Sequence, residues 1–216
     1  MLRVMILTIV YICVLYLLIS LFWRWMCRNH YFPCPVWLIW VLDILNLSIT
    51  SRESGTEKTL RRMGLSPGQI VLDVGPGAGR LLIPASKCLL PRGKVIGLEI
   101  QFEMARLLRD RAKKAGVNNF SIVLGDATKL NFRPGCFDLI YFCAVLGEIS
   151  NPQKALENCR AALKTEGHLT VTDLVCSPLY LSPRTVIALA EKAGFRLSSK
   201  RGYWYFYTLN FAKLKE

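Results

Sequence analysis

Hydrophobic positions in this chain fall into two patterns. Val4 to Trp23 is an unbroken stretch of uncharged, mostly apolar residues; a helix of about twenty residues is roughly 30 Å long, the thickness of a bilayer core. From Gly68 onward, short apolar runs alternate with amphipathic ones. That alternation predicts strands at Ile70–Val74, Lys94–Ile100, Phe120–Leu124, Phe137–Cys143 and His168–Val175. Between and after them it predicts helices over Leu81–Leu89, Phe102–Ala115, Pro152–Leu163 and Pro183–Ala193, then a closing aromatic hairpin over Phe195–Phe211. Strands separated by helices imply an α/β domain with a mostly parallel sheet and helices on both faces.

The flanks decide how the N-terminal run reads. Arg3 precedes it, Arg24 and Arg28 follow it, and Trp23 and Trp25 fall where a headgroup boundary would lie. A cleaved secretory signal would have a shorter apolar region ending in small residues; here the run continues into Phe22-Trp23-Arg24-Trp25. The expectation is a transmembrane anchor over residues 1–30, single-pass, with the C-terminal domain on the cytoplasmic side. Residues 31–63 read as a linker, in which Tyr31-Phe32-Pro33-Cys34-Pro35 cannot continue a helix. Beyond that break, Val36–Leu47 reads as an interfacial or capping helix and Ser51–Arg62 as a polar helix leading into the domain at 64–216.

Composition modifies this picture in two ways. The 216 residues carry 28 Lys and Arg against 15 Asp and Glu, a formal charge of +13, and mean hydropathy is +0.32. No nucleic-acid module or dense basic tail accompanies the charge, so a lipid bilayer is the expected partner and nucleic acid is not. The 8 cysteines contain no CxxC pair, and His30 and His168 stand apart, so reduced structural thiols are expected and no metal.

The informative motif is Asp73-Val74-Gly75-Pro76-Gly77-Ala78-Gly79, directly after the first strand. Glycines there allow a tight turn and close approach of a ligand to the main chain. Arg80 occupies the position where a dinucleotide fingerprint has its last glycine, so the spacing is GxGxG. Glu99 ends the second strand, Gly125-Asp126-Ala127 follows the third and Phe137-Asp138 opens the fourth.

In order and spacing these features resemble the class I S-adenosylmethionine-dependent methyltransferases, of the type 11-like domain, from about Gly64 to the C-terminus. The resemblance implies a Rossmann-like fold with a seven-stranded sheet and an antiparallel last strand. It implies S-adenosyl-L-methionine as cofactor, with Asp73, Gly75, Pro76, Gly77 and Gly79 around its methionine part. Glu99 would bind the ribose, Ile100 would pack on the adenine, and Asp126 with Ala127 would hold the adenine edge. Cys143 to Glu148 would lie beside the sulfonium and the acceptor, with Glu148 the candidate catalytic residue. The family reaction is an in-line methyl displacement that needs mainly alignment and exclusion of water.

Methyltransferases acting on amino groups of nucleic acids and glutamine carry Asn/Asp-Pro-Pro-Tyr after the fourth strand, whereas this chain has Phe142-Cys143-Ala144-Val145. That leaves a small-molecule or lipid substrate: a hydrophobic acceptor such as a phospholipid amine or a quinone-like ring. A membrane-anchored thiol methyltransferase and a non-catalytic cofactor-binding scaffold are the alternatives. The cysteines do not form the set an arsenite methyltransferase would need.

Overall fold

The computed structural model describes residues 55–214 except 130, 131, 176 and 178, together with scattered positions from 7 to 25. The described residues in that N-terminal stretch are helical and exposed, Leu7 and Tyr11 among them. Among the described residues no helix is long and apolar enough to cross a membrane. The expectation of a single-pass membrane protein, with the bilayer as partner, is corrected accordingly. Hydropathy reports what a segment could bury if it formed one continuous helix of about twenty residues, and the described residues do not supply that helix. Val36–Leu47 and the Pro33–Pro35 break lie outside the described residues.

The polar helix expected before the domain is α1, Thr56–Met63. Then follow β1 (Ile70–Val74), α2 (Leu82–Cys88), β2 (Lys94–Glu99), α3 (Phe102–Lys114), β3 (Phe120–Leu124) and β4 (Phe137–Cys143). A 3-10 turn at Leu146–Glu148 leads to α4 (Pro152–Ala162), β5 (Leu163–Leu174), α5 (Pro183–Lys192), β6 (Phe195–Tyr203) and β7 (Phe206–Lys213). Local chemistry explains several boundaries. The Asn151 side chain accepts from Lys154 N–H at 3.0 Å, and Ser182 accepts from Thr185 N–H at 3.2 Å. Each cap is followed by proline at the first helical turn, where its fixed φ is preorganised for a helix.

Among the described residues seven strands form one sheet in the order β3-β2-β1-β4-β5-β7-β6. The first five are parallel, and β7 runs antiparallel to both neighbours. Strands buried on both faces need the continuous apolar runs seen in Val71-Leu72 and Leu139-Ile140-Tyr141-Phe142, all nearly inaccessible. One face packs Leu156, Val186 and Phe195 of the α4 and α5 side against Leu72, Ile140 and Leu209. The other packs Leu60 and Met63 of α1, Leu82 of α2 and Leu108 of α3 against Val71, Leu139 and Tyr141. Strand β5 starts directly at the end of α4, earlier than its apolar run suggests, and pairs Phe137 with Leu163 before its register shifts to Leu139 with His168.

Candidate active site

The strand order reverses direction between β1 and β4, which opens a crevice at the carboxyl ends of those strands. Register brings the candidate residues to one level. Val74 lies opposite Leu98 on one side and Phe142 on the other, and Cys143 lies opposite Thr172. Gly75, Glu99, Cys143 and Asp173 therefore stand side by side at the edge of four adjacent strands.

The glycine loop is shaped by its surroundings. Gly75 has φ +70°, and a Cβ there would stand 2.5 Å from a Val145 methyl, so the loop and the segment after β4 are in direct contact. Gly77 has φ +54° with nothing within 4 Å of where a side chain would begin. Gly77 is thus a point where backbone faces open space, which is what a ligand approaching the main chain requires. Pro76 packs toward Gly97, and Gly79 closes against Leu108 and Ile83.

Glu99 is buried, and its two oxygens accept from Gly77 N–H at 3.1 Å, Ile100 N–H at 2.9 Å and Gln101 N–H at 3.0 Å. Burial raises its carboxyl above the usual range while these three donors hold it down. Asp73 is buried and accepts from the Tyr141 hydroxyl at 2.6 Å. Burial pushes Asp73 up to about 8, against the Tyr141 bond and with repulsion from Glu99. Glu148, in the 3-10 turn, is pushed up to about 7 by burial, with Glu99 and Asp173 adding repulsion. Among the described residues none of Asp73, Glu99 and Glu148 is ion-paired to a lysine or arginine. The Cys143 thiol is pushed up to about 11 by burial, with Arg80 opposing, so it is a neutral wall of the site.

The expected residues after β3 are placed differently. Asp126 Oδ1 accepts from the Thr128 backbone at 2.8 Å and the Thr128 hydroxyl at 2.7 Å, while Oδ2 lies 3.6 Å from Lys129 Nζ. Its partial burial pushes the pKa up, but those Thr128 bonds and Lys129 outweigh it, leaving the carboxyl below its ordinary value. This carboxylate shapes its own turn. Ala127 is fixed by Asn158 of α4, whose side-chain amide donates to the Ala127 carbonyl at 3.0 Å. Ile100 is 59% exposed at the end of β2, an apolar side chain with a free face.

Further residues complete the crevice: Asp173, which lies outside the expected site residues, Ala144 and Gly147 of the expected Cys143 to Glu148 segment, and an aromatic tip. Asp173, at the end of β5, is 3% exposed and accepts from Leu174 N–H at 2.8 Å and Leu181 N–H at 3.0 Å. It carries the same signal as Asp73 and Glu99, an acid closing an apolar strand. Ala144 has φ +55°, a left-handed conformation that costs a non-glycine residue roughly 1 kcal/mol. It is held by its N–H donating to the Thr172 carbonyl at 2.9 Å. Gly147 packs on the Leu179 carbonyl, seating the Glu148 turn under the segment after β5. At the same end of the sheet, Tyr203, Trp204 and Tyr205 form an exposed aromatic tip between β6 and β7, and the Tyr180 hydroxyl donates to the Trp204 carbonyl.

A family profile described as methyltransferase domain matches residues 65–200. A ubiquinone/menaquinone biosynthesis C-methyltransferase of Hydrogenovibrio crunogenus is 33% identical over 142 residues, covering 63% of this chain and 56% of that protein. The protein of the same name from Vibrio vulnificus is 34% identical over 116 residues, covering 53% of this chain and 45% of that protein. The chain thus spans about half the length of these curated relatives. A crystal structure of an S-adenosylmethionine-dependent methyltransferase from Aquifex aeolicus superposes with TM-score 0.67 at 27% identity, covering 72% of this chain and 88% of that one.

Proposed function

Because the chain belongs to the S-adenosylmethionine-dependent methyltransferase domain family, we propose that it methylates a ring carbon of a hydroxylated, quinone-like acceptor. The observation that carries the reading is the group of three carboxyl side chains, Asp73, Glu99 and Glu148, without an ion-pair partner among the described residues, at one crevice of a chain whose net charge is +13. A site that concentrates acid against the sign of the whole molecule suits a cationic ligand.

The residues present fit the cofactor. Backbone at Gly77 is open to a ligand, Glu99 Oε2 retains one lone pair beyond the three backbone bonds for a ribose hydroxyl, and Ile100 offers an apolar face to an adenine. Asp73, Gly75, Pro76, Gly77 and Gly79 would surround the methionine part, and Asp126 with Ala127 would border the adenine edge. Bound there, the cofactor supplies an electrophilic methyl on a positively charged sulfur.

The chain's own residues then align and deprotonate. Glu148, with its carboxyl near 7, is poised to take the proton of an acceptor hydroxyl. Removing that proton pushes electron density into the ring carbon that accepts the methyl, and the hydrogen it replaces leaves as a proton. Cys143 and Val145 keep this side of the crevice apolar and exclude water. The names of the relatives and the exposed Tyr203, Trp204 and Tyr205 support an apolar aromatic acceptor.

The test uses the full chain, methyl-labelled S-adenosylmethionine, and panels of hydroquinones, thiols and amines. Label on a ring carbon is expected. Label on sulfur or nitrogen would sink the carbon assignment, and cofactor binding without transfer to any panel would return the chain to a binding scaffold.

A further inference from the structure

We infer that the cleft between α1 and the outer strand β6 is an anion site that holds a phosphate group. It lies on the α1 face of the sheet, away from the crevice described above, in an open hollow of about 450 Å³ lined by Lys58, Arg61, Arg62, Ser199, Arg201 and Asn210. Four cationic side chains converge on it from two elements. Lys58, Arg61 and Arg201 are exposed, and among the described residues the only acid paired with any of the four is Glu57, 3.2 Å from Arg61 on the outer surface of α1.

Arg62 distinguishes this cleft from a solvated basic face. Its guanidinium is stacked over the Phe206 ring, 5.4 Å from the centroid, so its orientation is fixed. Its Nη1 is buried and makes no hydrogen bond. A buried charged donor without an acceptor is costly, and a ligand oxygen removes that cost as it binds. The atom borders Gly202, where an added Cβ would come within 3.2 Å of it, so the glycine keeps the approach clear.

Neutral donors complete the floor. Asn210 Nδ2 donates to the Arg62 carbonyl at 2.8 Å and to Ser199 Oγ at 3.0 Å, which ties helix and sheet together beneath the hollow. A fixed guanidinium fork, flexible ammonium and guanidinium groups around it, and a hydroxyl at the base offer more donors than a two-oxygen carboxylate can use, and suit the several oxygens of a phosphate. A phosphate could arrive free or as part of an ester.

The experiment is calorimetric titration of the full chain with inorganic phosphate, diphosphate and glycerol phosphate, with S-adenosylmethionine affinity measured in parallel. Saturable 1:1 binding is expected. Arg62→Gln and Arg201→Gln should each weaken it about tenfold, the loss of one charge-assisted hydrogen bond. Lys192→Gln, exposed at the end of α5 on the other face of the sheet, should leave it unchanged, and cofactor affinity should be unaffected throughout. Glycerol phosphate binding tighter than phosphate points to an ester, and the reverse to the free ion. Non-saturable binding, or full affinity in Arg201→Gln, which is exposed and safe for folding, would overturn the site.

Discussion

Asp73 and Glu148 have carboxyls that the fold keeps protonated more than water would. Asp73 moves from an ordinary 3.8 to about 8 and Glu148 from 4.5 to about 7, chiefly through burial. A group whose folded pKa is raised contributes stability that is complete below the unfolded value and is lost as pH rises through the folded one. The ligand-free protein should therefore lose melting temperature between about pH 4 and pH 8, and Asp73→Asn should flatten that profile in calorimetric scans. A cationic ligand favours the ionised carboxyls, so the ratio of S-adenosylmethionine to S-adenosylhomocysteine affinity should rise between pH 6 and 9. Comparing the two ligands cancels their shared amino group, and Glu148→Gln should remove the part of the rise near pH 7. Gly77→Ala keeps an open approach but puts a side chain at φ +54°. It should cost about 1 kcal/mol of stability and a larger share of cofactor affinity, read by thermal melts and titration. The positions of the glycines, Asp73 and Glu99 at the strand ends were legible in the sequence because each closes or follows an apolar strand. Asp173 had the same signal, yet nothing local shows that its strand ends beside Glu148.

At the scale of elements, α1 belongs to the packed body. Met63 is fully buried, its carbonyl accepts from His168 Nε2 at 2.9 Å, and Leu60 joins the same core. Met63→Ala should cost about 2–5 kcal/mol in denaturant unfolding, since it removes buried volume from the cluster it shares with Leu60, Val71 and Leu139. Asn151→Ala should cost about 1 kcal/mol by removing the cap of α4, with the neighbouring Glu148 turn loosened as a secondary effect. Strand boundaries such as Ile70–Val74 and Phe137–Cys143 could be read from apolar runs bounded by glycine or charge, and helix starts from Asn151-Pro152 and Ser182-Pro183. The early start of β5 could not, because Lys164, Thr165 and Glu166 are polar and fall in the irregularity between the Phe137–Leu163 and Leu139–His168 pairs.

Across the whole molecule, charge is segregated. Basic residues outnumber acidic ones almost two to one, yet the crevice between β1 and β4 gathers Asp73, Glu99 and Glu148. Field and shape together predict selectivity for S-adenosylmethionine over NAD, since Arg80 replaces the last glycine of a dinucleotide loop. Titration should show no competition from NAD. The sequence by itself determined the α/β class, the parallel core, the position of the glycine loop and the family, because strand burial and tight turns are imposed by neighbours along the chain. It did not determine the fate of the N-terminal apolar run, since hydropathy measures capacity for burial and not the structure that forms. Only the tertiary structure decided that β7 inserts between β5 and β6, and that the Tyr141 hydroxyl meets Asp73. It alone raised Glu148 toward neutrality and brought Arg62 over Phe206, because each of these depends on groups distant in sequence meeting at one place.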